Sequence, residues 1–161
     1  MINSSVFSDI SGSEVFTGLA GEDLEKLSAL CEMREMDEGT TVFIENMPGE
    51  SLFVVKTGTI RVSRMFAEAD EKTLLVLGPG EVFGEMAVID GHPRSATARV
   101  VENTELISLS KASFDKLSQS DPDVAVKIIM NLTKVFISRV RSAQDEYREM
   151  LVWSMQSPQK D

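Results

Sequence analysis

Glycine and proline punctuate the middle of this chain at short, regular intervals, and nothing else in the sequence limits the fold as strongly. Gly39, Pro48-Gly49, Gly58, Pro79-Gly80 and Gly91 separate the runs TTVFIE, SLFVVK, TIRVSRMF and KTLLVL, which SATARVV and TELISLS follow. Each run is short and rich in β-branched or apolar residues, and several alternate in polarity. Breaks about every 8–12 residues are the pattern of an all-β sandwich or barrel rather than of βαβ units. The expected fold is mainly β with flanking helices: an antiparallel, jelly-roll-like β-roll, short N-terminal helices and a long C-terminal helix. The charged stretch AEADEK, Ala67 to Lys72, reads as a solvated hairpin loop without chemistry of its own.

The flanks carry a helical period instead. Gly21-Glu22-Asp23 ahead of Leu24, Leu27, Ala29 and Leu30 reads as the acidic start of an amphipathic helix, in a helical-looking stretch that runs to Glu32. A short turn around Val15 to Leu19 precedes it. Cys31 falls in that stretch; as the single cysteine it has no disulfide partner within the chain and reads as a small core residue. Further on, Asp121 suits an N-cap and Pro122 a first helical turn. Ile129, Leu132, Phe136, Val140, Ala143, Tyr147 and Met150 then recur at steps of three or four. The first half of that stripe is expected to pack on the sheet. A helix of about 30 residues is roughly 45 Å long, more than a core of this size covers, so the distal half is expected to pair with a second copy in a homodimer. The expected organisation is one β-roll domain over residues 1–143 and the distal helix and tail over 144–161.

Charge and composition argue against several function classes. A formal net charge of −10 opposes nucleic-acid binding, which needs clustered Lys and Arg. A single histidine, His92, rules against metal sites built from several imidazoles, and it reads as an exposed turn residue between Gly91 and Pro93. No apolar run approaches the roughly 18 residues of a membrane span, and MINSSVFSDISGSE lacks the features of a signal peptide. A cytoplasmic chain without a membrane partner is expected. No nucleophile–base–acid arrangement is readable, so neither catalysis nor a catalytic cofactor is expected.

The chemistry concentrates in Phe83 to Val100, FGEMAVIDGHPRSATARV. Gly84 has no Cβ and lets a ligand approach the backbone, and Glu85 follows with a carboxylate. Met86, Ala87 and the residues to Asp90 form one helical turn whose first amides suit an anion. Gly91 permits a sharp exit and Pro93 fixes the backbone before Arg94, whose guanidinium can grip two phosphate oxygens. Ser95 adds a hydroxyl, and the small Ala96 leaves space as the chain re-enters a strand with Thr97. Taken singly, Glu85 and Arg94 could form a structural ion pair. Together these groups supply an acceptor for a ribose hydroxyl and donors for a phosphate monoanion.

Phe83 to Thr97 resembles the phosphate-binding cassette of the cyclic-nucleotide-binding domain family, the regulatory domain of catabolite-activator-type regulators. The resemblance covers roughly Val15 to Arg141: Gly39, Phe43, Glu45, Gly49, Phe53, Val55, Gly58, Ile60 and Val62 fit the early strands, and Leu77-Gly78-Pro79-Gly80 the turn into the cassette. It implies that Glu85 binds the ribose 2′-hydroxyl, that Arg94 binds the exocyclic phosphate oxygens, and that Gly84, Ser95 and Ala96 hold the phosphate. It places Val62, Leu74 and Thr97 near the nucleotide, and Phe83 opens the cassette. By position Phe136, Arg139 and Val140 are the candidates to cover the base. The implied ligand is cAMP or cGMP; Ser95 is compatible with either, and cAMP is favoured as the commoner ligand of bacterial-looking members. Catabolite-activator-type regulators carry a helix-turn-helix after the long helix. The residues after Ala143 are too few for one, so no DNA binding by this chain is expected and the output passes to an unidentified downstream protein. Two alternatives remain at this point: a dimerisation module with an empty roll, and a haem or other small-molecule sensor on the same fold.

Overall fold

The computed structural model describes residues 6–9, 12–67 and 70–156. The tail beyond Gln156, the MINSS start and positions 68–69 of the expected loop lie outside the described residues. In chain order the elements are α1 (Val6–Asp9), a 3₁₀ turn (Glu14–Phe16), α2 (Gly21–Ser28), β1 (Cys31–Met36), β2 (Thr41–Phe43), β3 (Ser51–Ala67), β4 (Asp70–Leu77), β5 (Val82–Phe83), α3 (Glu85–Asp90), β6 (Thr97–Ser110), α4 (Lys111–Ser120) and α5 (Pro122–Gln156). The six strands form an antiparallel sheet in the order β1-β6-β3-β4, with β2 on β6 and β5 on β3. This is the antiparallel roll that the spacing of the breaks implied.

Two long strands organise it. SLFVVK and TIRVSRMF join into β3, and SATARVV and TELISLS into β6. Gly58, read as a break, instead sits inside β3 at φ +85°, where the register against β6 shifts. A Cβ there would stand 2.5 Å from the Asn103 carbonyl oxygen, so the strand can bend only around a glycine. The centre of β3 is buried on both faces. Phe53 and Val55 face the inside of the roll with Ile60, Val62, Leu77, Phe83, Ala98 and Leu106. Leu52 and Val54 face the helices with Val15, Leu27, Ile107, Leu117, Ile128 and Leu132. Strand alternation thus separates a core inside the roll from a core under the helices.

The helical expectation for Glu22–Glu32 runs too far. The helix stops at Ser28, and Cys31 begins β1, paired with Leu109. Local apolar spacing favoured a longer helix, but pairing with β6 outweighs it. Cys31 is a core residue nonetheless, and burial pushes its thiol up to about 12. The AEADEK loop is also shorter than expected, because Asp70, Glu71 and Lys72 continue β4 opposite Ala67, Met65 and Arg64. The Glu71 carboxylate anchors that extension by accepting from the Ser63 hydroxyl at 2.7 Å and pairing with Arg99.

One helix was not anticipated. Ser110 caps α4 by accepting from the Ser113 amide at 3.0 Å. The long helix α5 then runs without a break past position 143. Its buried face is Val124, Ala125, Ile128, Asn131 and Leu132, displaced from the expected stripe: Ile129 is only half-buried and Phe136 is 46% exposed. Asn131 donates to the carbonyls of Val15 (3.0 Å) and Thr17 (2.8 Å), while Lys127–Asp23 and Lys26–Asp121 tie α5 to α2. From Val140 onward every residue described on α5 is exposed.

Candidate functional site

The site is built where β5 turns into α3. Gly84 adopts φ +73° ahead of the helix, a conformation that a side chain resists. Space forbids one as well, because a Cβ on Gly84 would lie 2.7 Å from Arg94 Nη1 and 3.1 Å from Phe43 Cε1. The expected turn is α3, from Glu85 to Asp90, closed by Gly91. His92 is exposed in the loop beyond, its amide donating to the Asp90 carboxylate at 2.9 Å.

Arg94 is only 5% exposed, and its surroundings define the site. Its main chain is fixed by bonds from Arg94 N to the Met47 carbonyl and from Asn46 N to the Arg94 carbonyl, both 2.8 Å. Nη1 donates to the Gly84 carbonyl and Nη2 to the Ser51 carbonyl, again at 2.8 Å. Nε is buried and has no partner. A charged donor left unpaired in the interior costs free energy, on the order of 1–3 kcal/mol or more; among the described residues Arg61 Nε is in the same state. Burial lowers the Arg94 pKa and the nearby Glu85 charge acts the other way; an arginine starts so high that it stays a cation.

Glu85 is 8% exposed and meets Arg139 of α5, with Nη1 3.4 Å from Oε1. Arg139 Nη2 also donates to the Val82 carbonyl at 2.6 Å. The long helix is therefore fastened to the segment that carries the cassette. A cavity of about 180 Å³ lies between these groups. Of the residues expected at the site, it is lined by Val62, Leu74, Phe83, Gly84, Glu85, Met86, Ala87, Arg94, Ser95, Ala96, Phe136 and Arg139. The remaining two stand apart from the lining. Thr97 is buried, its hydroxyl accepting from the Glu45 amide at 3.0 Å, and Val140 is exposed on α5. Ser95 is exposed at the rim, 3.6 Å from the Met86 sulfur.

Three contributors at the site were missed in the sequence reading. Phe43 and Leu75 line the cavity, and Gly49 packs against Arg94. A Cβ on Gly49 would lie 2.5 Å from Ala87 Cβ and 2.7 Å from Arg94 Nε. In sequence Phe43 and Gly49 stand out only through the spacing of the early strands; their aromatic and glycine types are the available signal, and contact with Arg94 across about 50 residues of chain is not. A second cavity of about 340 Å³ lies on the far side of Arg139, lined by Glu14, Glu81, Val82, Val135 and Ser138 among others.

Known proteins resemble this chain in sequence and in fold. The chain is 36% identical over 135 residues to the cyclic AMP receptor protein of Thermus thermophilus, covering 84% of this chain and 61% of that protein. It spans about three-fifths of the length of the first curated relatives it matches. Among solved structures, a cyclic nucleotide-binding domain from Methylobacillus flagellatus superposes with a TM-score of 0.82 at 24% identity, covering 89% of this chain and 83% of that one, a likeness of fold. The regulatory domain of Toxoplasma gondii protein kinase A with cAMP superposes with a TM-score of 0.63 at 26% identity, covering 70% and 43%. Residues 33–121, which run from β1 through the cassette to the end of α4, match the family described as cyclic nucleotide-binding domain. Fold and family match thus agree, and the chain belongs to the cyclic nucleotide-binding domain family.

Proposed function

We propose that this chain is a cyclic-nucleotide sensor that binds cAMP in the cavity between α3, β6 and α5 and reports occupancy through α5. The observation that carries the reading is Arg94: a buried guanidinium whose Nε has no partner, beside a buried carboxylate, in a cavity with mostly apolar walls. In this reading Arg94 takes the exocyclic phosphate oxygens, helped by Gly84, Met86, Ala87, Ser95 and Ala96, and Glu85 accepts from the ribose 2′-hydroxyl. Val62, Leu74, Phe83 and Phe136 enclose the sugar and base, and Thr97 supports the wall through its bond to Glu45. The names of the Thermus and Toxoplasma proteins, a cyclic AMP receptor and a domain with cAMP, support cAMP over cGMP.

The cavity is smaller than the roughly 300–1,000 Å³ usual for a small-molecule site, and the reading includes a shift of α5 that admits the nucleotide. The Arg139–Glu85 contact is what that shift must break or remake. A ligand hydroxyl that engages Glu85 competes with Arg139 for the same carboxylate, and the population of α5 positions follows the ligand's preference between them. The exposed stripe through Val140, Ala143, Tyr147 and Met150 supports a homodimer along the distal helix, and a downstream protein is the receiver of the signal. The proposal includes no catalysis, no DNA contact and no membrane contact.

Calorimetric titration with cAMP, cGMP and a cyclic dinucleotide tests the reading. Saturable 1:1 binding with cAMP tightest supports it, and heat-silent titrations with all three would refute it. Sedimentation equilibrium tests the dimer: a chain that stays monomeric at tens of micromolar contradicts that part.

A further inference from the structure

The ring of Phe43 lies against the guanidinium of Arg94, with Arg94 Cζ 4.1 Å from the ring centroid. This distance is well inside the roughly 6 Å limit for a cation–π contact. Phe43 is itself backed by two buried rings, Phe83 at 5.8 Å and Phe53 at 6.1 Å, which stack on each other at 5.3 Å across the β3–β5 pairing. The platform is therefore anchored in the core of the roll rather than in a loop.

Geometry shows what the ring adds. The carbonyls of Gly84 and Ser51 hold the two terminal nitrogens at their ends but do not cover the face of the guanidinium. Phe43 supplies that cover, with its ring centroid 4.1 Å from Cζ. It fixes the direction of the unpaired Nε–H, whose nitrogen packs against Gly49. We infer that Phe43 is a positioning residue: its ring holds the Arg94 guanidinium in the plane that a phosphate monoanion requires. The inference rests on the proposed cyclic-nucleotide reading for its ligand and on the Phe43–Arg94 contact for its mechanism. The negative face of the ring also stabilises a cation that burial has stripped of water, so Arg94 is held charged and oriented before ligand arrives.

Three substitutions in the full chain separate ring chemistry from mere packing. Phe43→Leu keeps apolar volume and removes the ring. Replacement of Phe43 by 3,4,5-trifluorophenylalanine keeps the ring shape and removes the negative potential of its face. Phe43→Tyr keeps both. Calorimetry is expected to show cAMP affinity reduced about 2- to 30-fold in the Leu variant, reduced less in the fluorinated variant, and unchanged in the Tyr variant. Adenosine, which lacks the phosphate, binds all of them equally. In the ligand-free protein, ¹⁵N spectra are expected to show the Arg94 Nε–H protected from exchange, with that protection lost in Phe43→Leu. Leu and fluorinated variants that melt like the parent, bind cAMP as tightly and retain Nε–H protection would overturn the inference. If the parent binds no nucleotide, the proposed function fails separately, and the exchange measurement alone decides whether Phe43 positions Arg94.

Discussion

Adding one methyl group at Gly49 tests the packing that surrounds Arg94. In Gly49→Ala the new Cβ would stand 2.5 Å from Ala87 Cβ, 2.7 Å from Arg94 Nε and 2.9 Å from Arg94 Cδ. Carbon atoms in contact prefer about 3.5–4.0 Å, so something must retreat by about 1 Å. Arg94 cannot do so freely, because its amide, its carbonyl and both terminal nitrogens are bonded to main-chain groups. Ala87 sits in α3 with its own carbonyl bonded to the Gly91 amide. Overpacking of this kind costs about 1–3 kcal/mol, which for a domain of this size lowers the melting temperature by about 2–12 °C. Any retreat of Arg94 also moves the phosphate-binding fork, and cAMP affinity is expected to fall about tenfold, equivalent to about 1.4 kcal/mol. Gly78→Ala is the control, since a Cβ there meets nothing within 4 Å; its effect is expected to stay within about 0.5 kcal/mol. Scanning calorimetry and cAMP titration of both variants read the two effects. A Gly49→Ala protein that melts within about 1 °C of the parent and binds within about twofold would refute the packing argument.

Three further outcomes follow from the interactions described. Arg139→Gln is expected to loosen α5 from the β5–α3 junction, seen as faster hydrogen exchange over Val82–Glu85 and Val135–Val140 and a stability loss of about 1–3 kcal/mol; unchanged exchange there would contradict the fastening role. Asn131→Leu strands two carbonyls, those of Val15 and Thr17, and is expected to cost about 1–3 kcal/mol by urea denaturation; a neutral effect would show that water replaces the carboxamide. Lys127 and the Ala20 amide hold the Asp23 carboxyl below the usual carboxylate range, and Lys26 does the same for Asp121. Because folding depresses both values, the stability they give is present above the unfolded value of about 3.9 and is lost as pH falls through the folded values. Acid titration by NMR should find both carboxyls protonating below that of an ordinary aspartate, and Lys127→Met should return Asp23 towards it.

How far the sequence could be read depended on the range of the interactions. The roll was legible because Pro48-Gly49, Pro79-Gly80 and Gly91 all stand between elements. Gly58 misleads because a bulge and a turn both favour glycine, and only the register shift against β6, with Asn103 and Thr104 close by, shows which one forms. Ser110 and Ser113 carried a local capping signal for α4 that the strand-like TELISLS overshadowed. Cys31–Met36 has little strand character of its own and becomes a strand because β6 lies beside it. The part of the cavity lining from Gly84 to Ala96 is legible because its groups are contiguous. Phe43, Gly49 and the Ser51 carbonyl were not, since each reaches Arg94 only through the fold of β2 and β3. The buried face of α5 was displaced because helical spacing locates a stripe but not which flank of it meets the sheet.

The central claim is that Arg94 receives a phosphate, and titration of cAMP into Arg94→Ala beside the parent chain tests it most directly. The bonded phosphate contact is expected to be worth about 2–5 kcal/mol, so affinity should fall roughly thirtyfold to several thousandfold in a variant whose far-ultraviolet circular dichroism stays that of the parent. A folded Arg94→Ala protein that binds cAMP as tightly as the parent would contradict the account.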